Sequence, residues 1–180
     1  MLLLGIGGLL LGGRVARAQA TPAAPADTLP LDFLGFQAGV TQAELVRHAA
    51  ESGGGTVTCQ GSARDGRLGE CRGGLPELDA GRSVDLWASV IDGRAAVTTL
   101  SARLTPARFA RWRELLQAQY GTPPERHQGP MTVLQWVRRG QMLRLSWRSK
   151  GRDFEVSVSL VDGPLLDRWA NQGKQSRVTS

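Results

Sequence analysis

The segment 131–160 constrains the fold most, because two turn signals divide it into three strands that agree on a single apolar face. Arg139-Gly140 is typical of a two-residue hairpin turn, and residues 149–152 are suited to a four-residue loop. Side chains alternate between the faces of a strand, so each turn determines which residues lie opposite one another. The predicted pairs are Trp136 with Leu143, Leu134 with Leu145, Thr132 with Trp147, Trp147 with Phe154, Leu145 with Val156 and Leu143 with Val158.

This register separates an apolar face from a polar one. The apolar face carries Leu134, Trp136, Leu143, Leu145, Trp147, Phe154, Val156, Val158 and Leu160. The polar face carries Val133, Gln135, Val137, Met142, Arg144, Ser146, Arg148, Glu155, Ser157 and Ser159. The pattern therefore predicts an antiparallel sheet with one face in the core and the other solvated or half-solvated.

Capping signals predict two longer helices. Thr41 and Glu44 have the spacing of a capping box, and the helix that follows is expected to end at Gly53. Thr105-Pro106 starts a second helix, with threonine as N-cap and proline in the first turn, and Gly121 closes it. Its predicted core-facing residues are Phe109, Trp112, Leu115, Leu116 and Tyr120.

Between these helices, Asp92-Gly93 is typical of a type I′ turn between two strands. That turn would place Val90 opposite Ala95, Ala88 opposite Val97 and Leu86 opposite Thr99, which leaves open which face is buried. With a short amphipathic helix over 164–169, the order is helix, four strands, helix, three strands, helix. This order predicts an α+β fold with helices packed on one face of antiparallel sheet. The expected segments are a single domain over 31–170, with halves of about 31–104 and 105–170, and a disordered tail over 171–180.

The N-terminus resembles an export signal. An apolar run precedes Ala18-Gln19-Ala20, so we expect cleavage after Ala20 and a flexible leader over 21–30. A membrane anchor is the alternative, but glycines interrupt the run and Arg14 ends it, short of the roughly 20 residues that a span needs. No cysteine directly follows the run, so we expect a soluble periplasmic or secreted protein without a lipid anchor.

The chain contains two cysteines, Cys59 and Cys71. A three-residue loop over 64–66, with Gly66 in the left-handed region, would place them opposite each other, whereas a two-residue turn would oppose Cys59 to Arg72. Disulfides persist in oxidising compartments outside the cytosol. We therefore predict a structural disulfide.

Candidate ligands for a metal are the two cysteines, His48 and His127, and no pair of them has the spacing that holds two ligands on one element. The chain also has no G-x-S-x-G or S-x-x-K motif. We therefore expect no metal, cofactor or catalytic residue, although a carboxylate pair assembled from distant positions stays open. Whether the protein is an enzyme is left undecided, with the balance towards a non-enzymatic protein.

Surface recognition is the remaining class. The net charge is +6, and in an exported protein such basicity favours envelope components over nucleic acid as partners. We expect an envelope or secreted protein as partner, with an anionic polymer or lipid surface as the alternative, and we leave the oligomeric state open. The candidate partner-binding residues are Gln135, Val137, Met142, Arg144 and Arg148 on the polar face, and Arg64 and Arg67 at the cysteine hairpin.

Two motifs carry a resemblance. Gly39-Val40-Thr41-x-x-Glu44-Leu45 before hairpins, and Tyr120-Gly121-x-Pro123 after a helix, resemble small exported bacterial domains of the SmpA/OmlA type and the tandem halves of β-lactamase-inhibitor protein. The resemblance implies a protein-binding envelope domain without catalysis, although the lipid-anchor cysteine of the SmpA/OmlA type is absent. We accordingly expect binding of another protein through an open sheet face. The alternative is a periplasmic small-molecule or glycan-binding protein or hydrolase.

Overall fold

The computed structural model of the protein describes residues 30–79 and 82–178. The predicted signal over 1–20 and the leader up to residue 29 lie outside them. The helices are α1 (Gln42–Gly53), α2 (Pro106–Tyr120) and α3 (Gly163–Val178). The strands are β1 (Asp32–Phe33), β2 (Phe36–Gln37), β3 (Val57–Gly61), β4 (Leu68–Asp79), β5 (Arg82–Ile91), β6 (Arg94–Leu104), β7 (Arg126–Gln128), β8 (Met131–Arg138), β9 (Gln141–Lys150) and β10 (Asp153–Asp162). The predicted α+β class is confirmed.

Eight strands form one antiparallel sheet in the order β3-β4-β5-β6-β10-β9-β8-β7. The first half of the molecule has α1 followed by β3–β6, and the second half has α2 followed by β7–β10. The last strands of the two halves, β6 and β10, pair with each other. The sheet is therefore continuous across the middle of the molecule, and the order of strands in one half mirrors that in the other.

Helices α1 and α2 pack on the same face of this sheet, over the apolar face predicted for the second half. Leu134, Leu143, Leu145, Val158 and Leu160 are fully buried there. Burial of apolar area is the main force holding helix and sheet together. The predicted core face is thus confirmed.

The register of the second half agrees with prediction in one hairpin and differs in the other. Every predicted β8–β9 pair is present. Between β9 and β10, Trp147 lies opposite Val156 instead of Phe154, because the connection is the two-residue turn Gly151-Arg152 and not a four-residue loop. A shift of two residues keeps every side chain on its face, so the error left the core assignment intact.

A β-bulge interrupts the β5–β6 hairpin. Val90 lies opposite Ala95 as predicted, but the register then shifts, so that Ala88 lies opposite Thr98 and Leu86 opposite Leu100. The predicted partners of Ala88 and Leu86 are therefore wrong by one residue. The extra residue allows neighbouring alanines of β6 to bury on opposite faces, with Ala95 in the main core and Ala96 in a second cluster.

The helix boundaries are close to prediction for α1 and α2. Both bonds of the capping box at Thr41 and Glu44 are present, and α1 ends at Gly53 as predicted, followed by the left-handed Gly54 as its C-cap. Thr105 is the N-cap of α2 but makes no side-chain capping bond. Of the predicted core residues of α2, only Leu115 is exposed.

Helix α3 is longer than predicted. It continues through residues 170–178, most of which were expected to form a disordered tail. No proline occurs after Pro164, so every later residue of α3 keeps the backbone N–H that a helix uses.

The hairpin formed by β1 and β2 and the short edge strand β7 were not predicted. Phe33 packs edge-on against Trp112 of α2, with ring centroids 4.8 Å apart, and Phe36 packs against His48 of α1 at 4.5 Å. The β1–β2 hairpin therefore fills the space between the two helices. Two-residue strands are too short to give a periodic signal.

Candidate functional site

The face of the sheet opposite α1 and α2, which we call the open face, is only partly covered. Helix α3 packs across one end of it, where Ile91 and Ala96 are buried against Leu165. No helix among the described residues packs over the other end of this face. The uncovered end contains a depression of about 830 Å³, which we call the groove.

Two cross-strand rows build the groove. In one, Asp85 of β5, Ser101 of β6 and Ser157 of β10 lie opposite one another. In the other, Arg103 of β6, Glu155 of β10 and Arg148 of β9 do the same. The side chains of the first row are short, so this row forms the floor of the groove. The side chains of the second row are long and charged, so this row forms a rim.

Hydroxyl groups on the open face, at the floor of the groove and beside it, are hydrogen-bonded in pairs. The hydroxyls of Ser146 and Ser157 are 2.9 Å apart, as are those of Thr99 and Ser159 in the adjacent row. A hydroxyl has one proton and two acceptor lone pairs, so each pair retains hydrogen-bonding capacity for a bound molecule. The floor therefore offers the hydroxyls of Ser101 and Ser157 beside the carboxylate of Asp85.

Charges on the rim are paired across strands. Arg148 donates to Glu155, whose other oxygen lies 3.5 Å from Lys150 Nζ, and Arg103 Nε lies 3.4 Å from Asp153 Oδ2. The hydrogen bond from Arg148 lowers the pKa of Glu155 below its usual range, so this carboxylate is ionised at neutral pH. The groove thus has cations and anions in similar number.

The predicted polar-face residues are all on the open face, but they do not form an excess of positive charge. Arg144 lies opposite Gln135 and donates to the side chain of Gln128, and Arg148 is engaged by Glu155. Val137 lies opposite Met142 near the α3 end, and Val137 is 61% exposed. Only Arg148 of the predicted residues lines the groove itself.

The predicted disulfide is present, with Cys59 directly opposite Cys71 and Cα atoms 4.0 Å apart. The register is that of the three-residue alternative, although Gly66 is not among the glycines with positive φ. Leu68 N instead donates to Asp65 O at 2.9 Å, which closes a turn in the loop between β3 and β4. Backbone hydrogen bonding therefore shapes the tip without a left-handed residue.

Arg64 and Arg67 lie at this tip, far along the strands from the groove. Arg64 is exposed. Arg67 makes a bidentate pair with Asp92 of the β5–β6 turn, at 2.7 and 2.6 Å, and the bond lowers the pKa of that carboxyl. Of the two arginines, Arg67 thus joins neighbouring hairpin tips.

Neither histidine lies in the groove. His48 lies against Phe36, with Nε2 3.1 Å from Leu34 O, and His127 Nδ1 lies 3.3 Å from the hydroxyl of Thr132. Within the described ranges, no group of three or more His, Cys, Asp or Glu side chains is arranged to hold a metal ion.

The tryptophans divide between the core and the open face. Trp112, Trp136 and Trp147 are buried, and Trp169 is partly buried beside Leu165. Trp87, which lies two residues along β5 from Asp85, is 37% exposed on the open face. Side-chain hydrogen bonds lower the pKa of Glu70, the larger effect from Arg72 and the smaller from Trp87. The indole of Trp87 is therefore hydrogen-bonded to the carboxylate of Glu70.

Sequence reasoning missed Asp85, Ser101 and Arg103 as groove residues. The bulge in the β5–β6 hairpin decides which residues of β6 lie opposite those of β5. Strict alternation from the Asp92-Gly93 turn therefore predicted the wrong cross-strand partners. The signal that could have found them is Ala95-Ala96, two small residues where a bulge allows both to be buried.

No helix among the described residues combines the length and apolar character required to cross a membrane. No family model, curated protein or solved structure compared with the chain matches it.

Proposed function

We propose that this chain is an exported, non-enzymatic interaction protein that binds another protein through the groove on its open face. The observation that carries the proposal is the groove itself, a depression of about 830 Å³ lined by charged, hydroxyl and apolar side chains, on a sheet whose other face is used as core. Concave sites with a few convergent polar groups are the usual places for ligands.

The chemistry of the groove favours a protein over an anionic polymer. Its rim pairs Arg148 with Glu155 and Arg103 with Asp153, so its charges nearly cancel. A partner carrying both signs can exchange ion pairs with the rim, whereas a polyanion would be repelled by Asp85 and Glu155. The floor hydroxyls of Ser101 and Ser157 can bond to backbone amides or carbonyls.

The proposed export rests on residues 1–20 and on the disulfide. The sequence there has the pattern of a cleaved signal ending at Ala20. A disulfide between Cys59 and Cys71 agrees with an oxidising compartment. Mass determination of the protein from an envelope extract would test this, since the proposal expects a mature chain that begins at Thr21.

Site-specific photocrosslinking tests the interaction in the cell. A photoreactive residue at Ser101 should give one adduct of defined mass in the envelope fraction, because that position forms the floor of the groove. The same residue at Glu114, which is exposed on α2 on the opposite side of the sheet, is the matched control. Equal adducts from both positions, or none from Ser101, would contradict the proposal.

Charge reversal gives an independent readout. Arg148→Glu breaks the pair with Glu155 and should reduce the Ser101 adduct, while Arg111→Glu, on the exposed side of α2, should leave it unchanged. Melting of both variants by circular dichroism separates lost binding from lost folding.

A glycan-binding protein is the second candidate, favoured by the exposed ring of Trp87 beside rows of hydroxyls. An aromatic face can stack on the apolar side of a sugar while hydroxyls bond its rim. Quenching of tryptophan fluorescence by an oligosaccharide, lost in Trp87→Ala, together with absence of a protein adduct, would replace the first proposal with this one.

A further inference from the structure

A second cleft lies at the other end of the sheet, where β9 begins. It has a volume of about 350 Å³ and lies between the β8–β9 turn, the start of α3 and the chain at residues 30–31. Three arginines line it, together with one carboxylate. They are Arg138, Arg139, Arg168 and Asp162.

The backbone holds these arginines in place. Arg139 and Gly140 both have positive φ, at 49° and 78°, so they form a tight turn. Gly163 N donates to Gly140 O at 3.1 Å, and a Cβ on Gly140 would lie 3.0 Å from Pro164 Cγ. The β8–β9 turn is therefore packed directly against the first turn of α3, which carries Arg168 further along.

The cleft has an excess of positive charge. Arg138 lies over the ring of Tyr120, 5.0 Å from its centroid, and Asp162 Oδ1 accepts from Leu165 N at 2.9 Å, which caps α3. Arg139 and Arg168 are exposed at the cleft. Three guanidinium groups against one carboxylate leave a formal charge of two, and the helix N-terminus adds partial positive charge.

We infer that this cleft binds a phosphate group, as a free ion, a phosphate monoester or a lipid headgroup. The charge balance matches a phosphate group, which carries about −1.5 to −2 near neutral pH. Guanidinium groups bind phosphate oxygens through parallel charge-assisted hydrogen bonds, which makes arginine the usual residue at such sites. The cleft and the groove share no residue, so this inference does not depend on the proposed function.

Isothermal titration calorimetry of the full chain with inorganic phosphate and with glycerol phosphate tests the inference. The double variant Arg139→Asn, Arg168→Gln removes the two exposed charges, and asparagine retains the left-handed turn because it tolerates positive φ. The matched control is Arg111→Gln, Arg152→Gln, which removes two exposed arginines elsewhere. A parallel arm measures co-sedimentation with phosphatidic acid vesicles and with phosphatidylcholine vesicles.

Binding of phosphate or of phosphatidic acid vesicles should become about tenfold weaker or more in the double variant and stay within about twofold in the control. Binding of the small ligands indicates a soluble phosphate compound, and binding of the vesicles alone indicates a headgroup. Absence of binding in both arms would overturn the inference. An equal loss in both variants would also overturn it, because it would reflect net charge and not this cleft.

Discussion

The two halves of the molecule have the same order of elements but fill their parts of the core in different ways. In the first half, the buried residues of α1 and β3–β6 are aliphatic or small, and the buried rings Phe33 and Phe36 come from the β1–β2 hairpin that precedes α1. In the second half, Phe109, Trp112, Tyr120, Trp136 and Trp147 are all buried. The aromatic rings also pack on one another, with Phe109 5.0 Å from Trp147.

The disulfide lies between two strands of the first half, where no aromatic side chain is buried in the sheet. It joins β3, an edge strand of five residues, to β4 at a position where Cys71 is fully buried. The other edge strand, β7, has three residues, all exposed, and no covalent link. One arrangement of strands is thus stabilised mainly by large rings in the second half and by a crosslink and close backbone packing in the first.

Removing a ring from the second half should have the largest effect. Trp147→Ala leaves a cavity beside Phe109, and we expect a loss of about 3–5 kcal/mol in the free energy of unfolding by urea denaturation. The same substitution at Trp87, which is 37% exposed, should cost about 1 kcal/mol or less. Similar losses in the two variants would show that buried rings do not dominate the second half.

Removing the crosslink should have the next largest effect. Cys59→Ala, Cys71→Ala frees a loop with a sequence separation of 12 and should cost about 3 kcal/mol. Reduction of the parent protein should lower its free energy of unfolding by a similar amount, which shows as a lower urea midpoint. An unchanged midpoint in both experiments would mean that the first half does not need its disulfide.

Close backbone packing in the first half can be tested at Gly73. A Cβ there would lie 2.6 Å from Thr56 O and 3.0 Å from Val57 Cα, so Gly73→Ala should push β3 from β4 and cost about 1–3 kcal/mol. Gly66→Ala is the control, since nothing lies within 4 Å of its Cβ position. Equal stability of the two variants, measured by thermal melting, would disprove the tight approach.

The two threonine caps offer a matched pair between the halves. Thr41 accepts from Glu44 N at 3.2 Å, whereas Thr105 makes no capping bond. Thr41→Ala should therefore cost about 1 kcal/mol in urea denaturation and Thr105→Ala much less. Hydrogen bonds from Thr41 lower the pKa of Glu44, so their stabilisation is present above the unfolded pKa and is lost as pH falls through the folded value. A larger loss at Thr105 would reverse the assignment.

The smallest effect at neutral pH concerns Tyr120, the only tyrosine. Burial raises the pKa of Tyr120 to about 12, above the unfolded value of about 10. The contribution of the protonated phenol is thus fully present below about pH 10 and is lost as pH rises towards 12. The ultraviolet absorbance of phenolate should report this single titration, and a midpoint near the unfolded value would contradict burial of the hydroxyl against Asp32.

Much of the fold could be predicted because the information is local. The Arg139-Gly140 turn and the alternation around it gave the β8–β9 register correctly, and the pair Thr41–Glu44 gave the start of α1. The length of the β9–β10 connection was wrong by two residues, since Gly151-Arg152 and a longer loop satisfy the same alternation. Local patterns do not distinguish registers that leave the buried face unchanged.

The candidate site could be predicted only in part. Arg144 and Arg148 were assigned to the open face, but their acceptors were not identified. Gln128 lies in an edge strand too short to recognise, and the predicted register placed Glu155 opposite Ser146, two residues from its partner Arg148. The pairing of Ser101 with Asp85 depends on the β-bulge between β5 and β6. The residues of the Asp92-Gly93 turn do not indicate this bulge. Side-chain pairing across strands is a tertiary property.

The sequence by itself determined the faces of the C-terminal strands and the starts of α1 and α2, since each follows from alternation or capping within a short segment. It also predicted the disulfide, because Cys59 and Cys71 are the two cysteines of the chain, but it left the turn between them open. Only the tertiary structure decided that β6 pairs with β10, which brings Ser101 beside Ser157 and creates the groove. The same is true of the arginine cleft, which requires the β8–β9 turn to meet the start of α3. These contacts join segments far apart in the chain, and the packing of the whole core selects them.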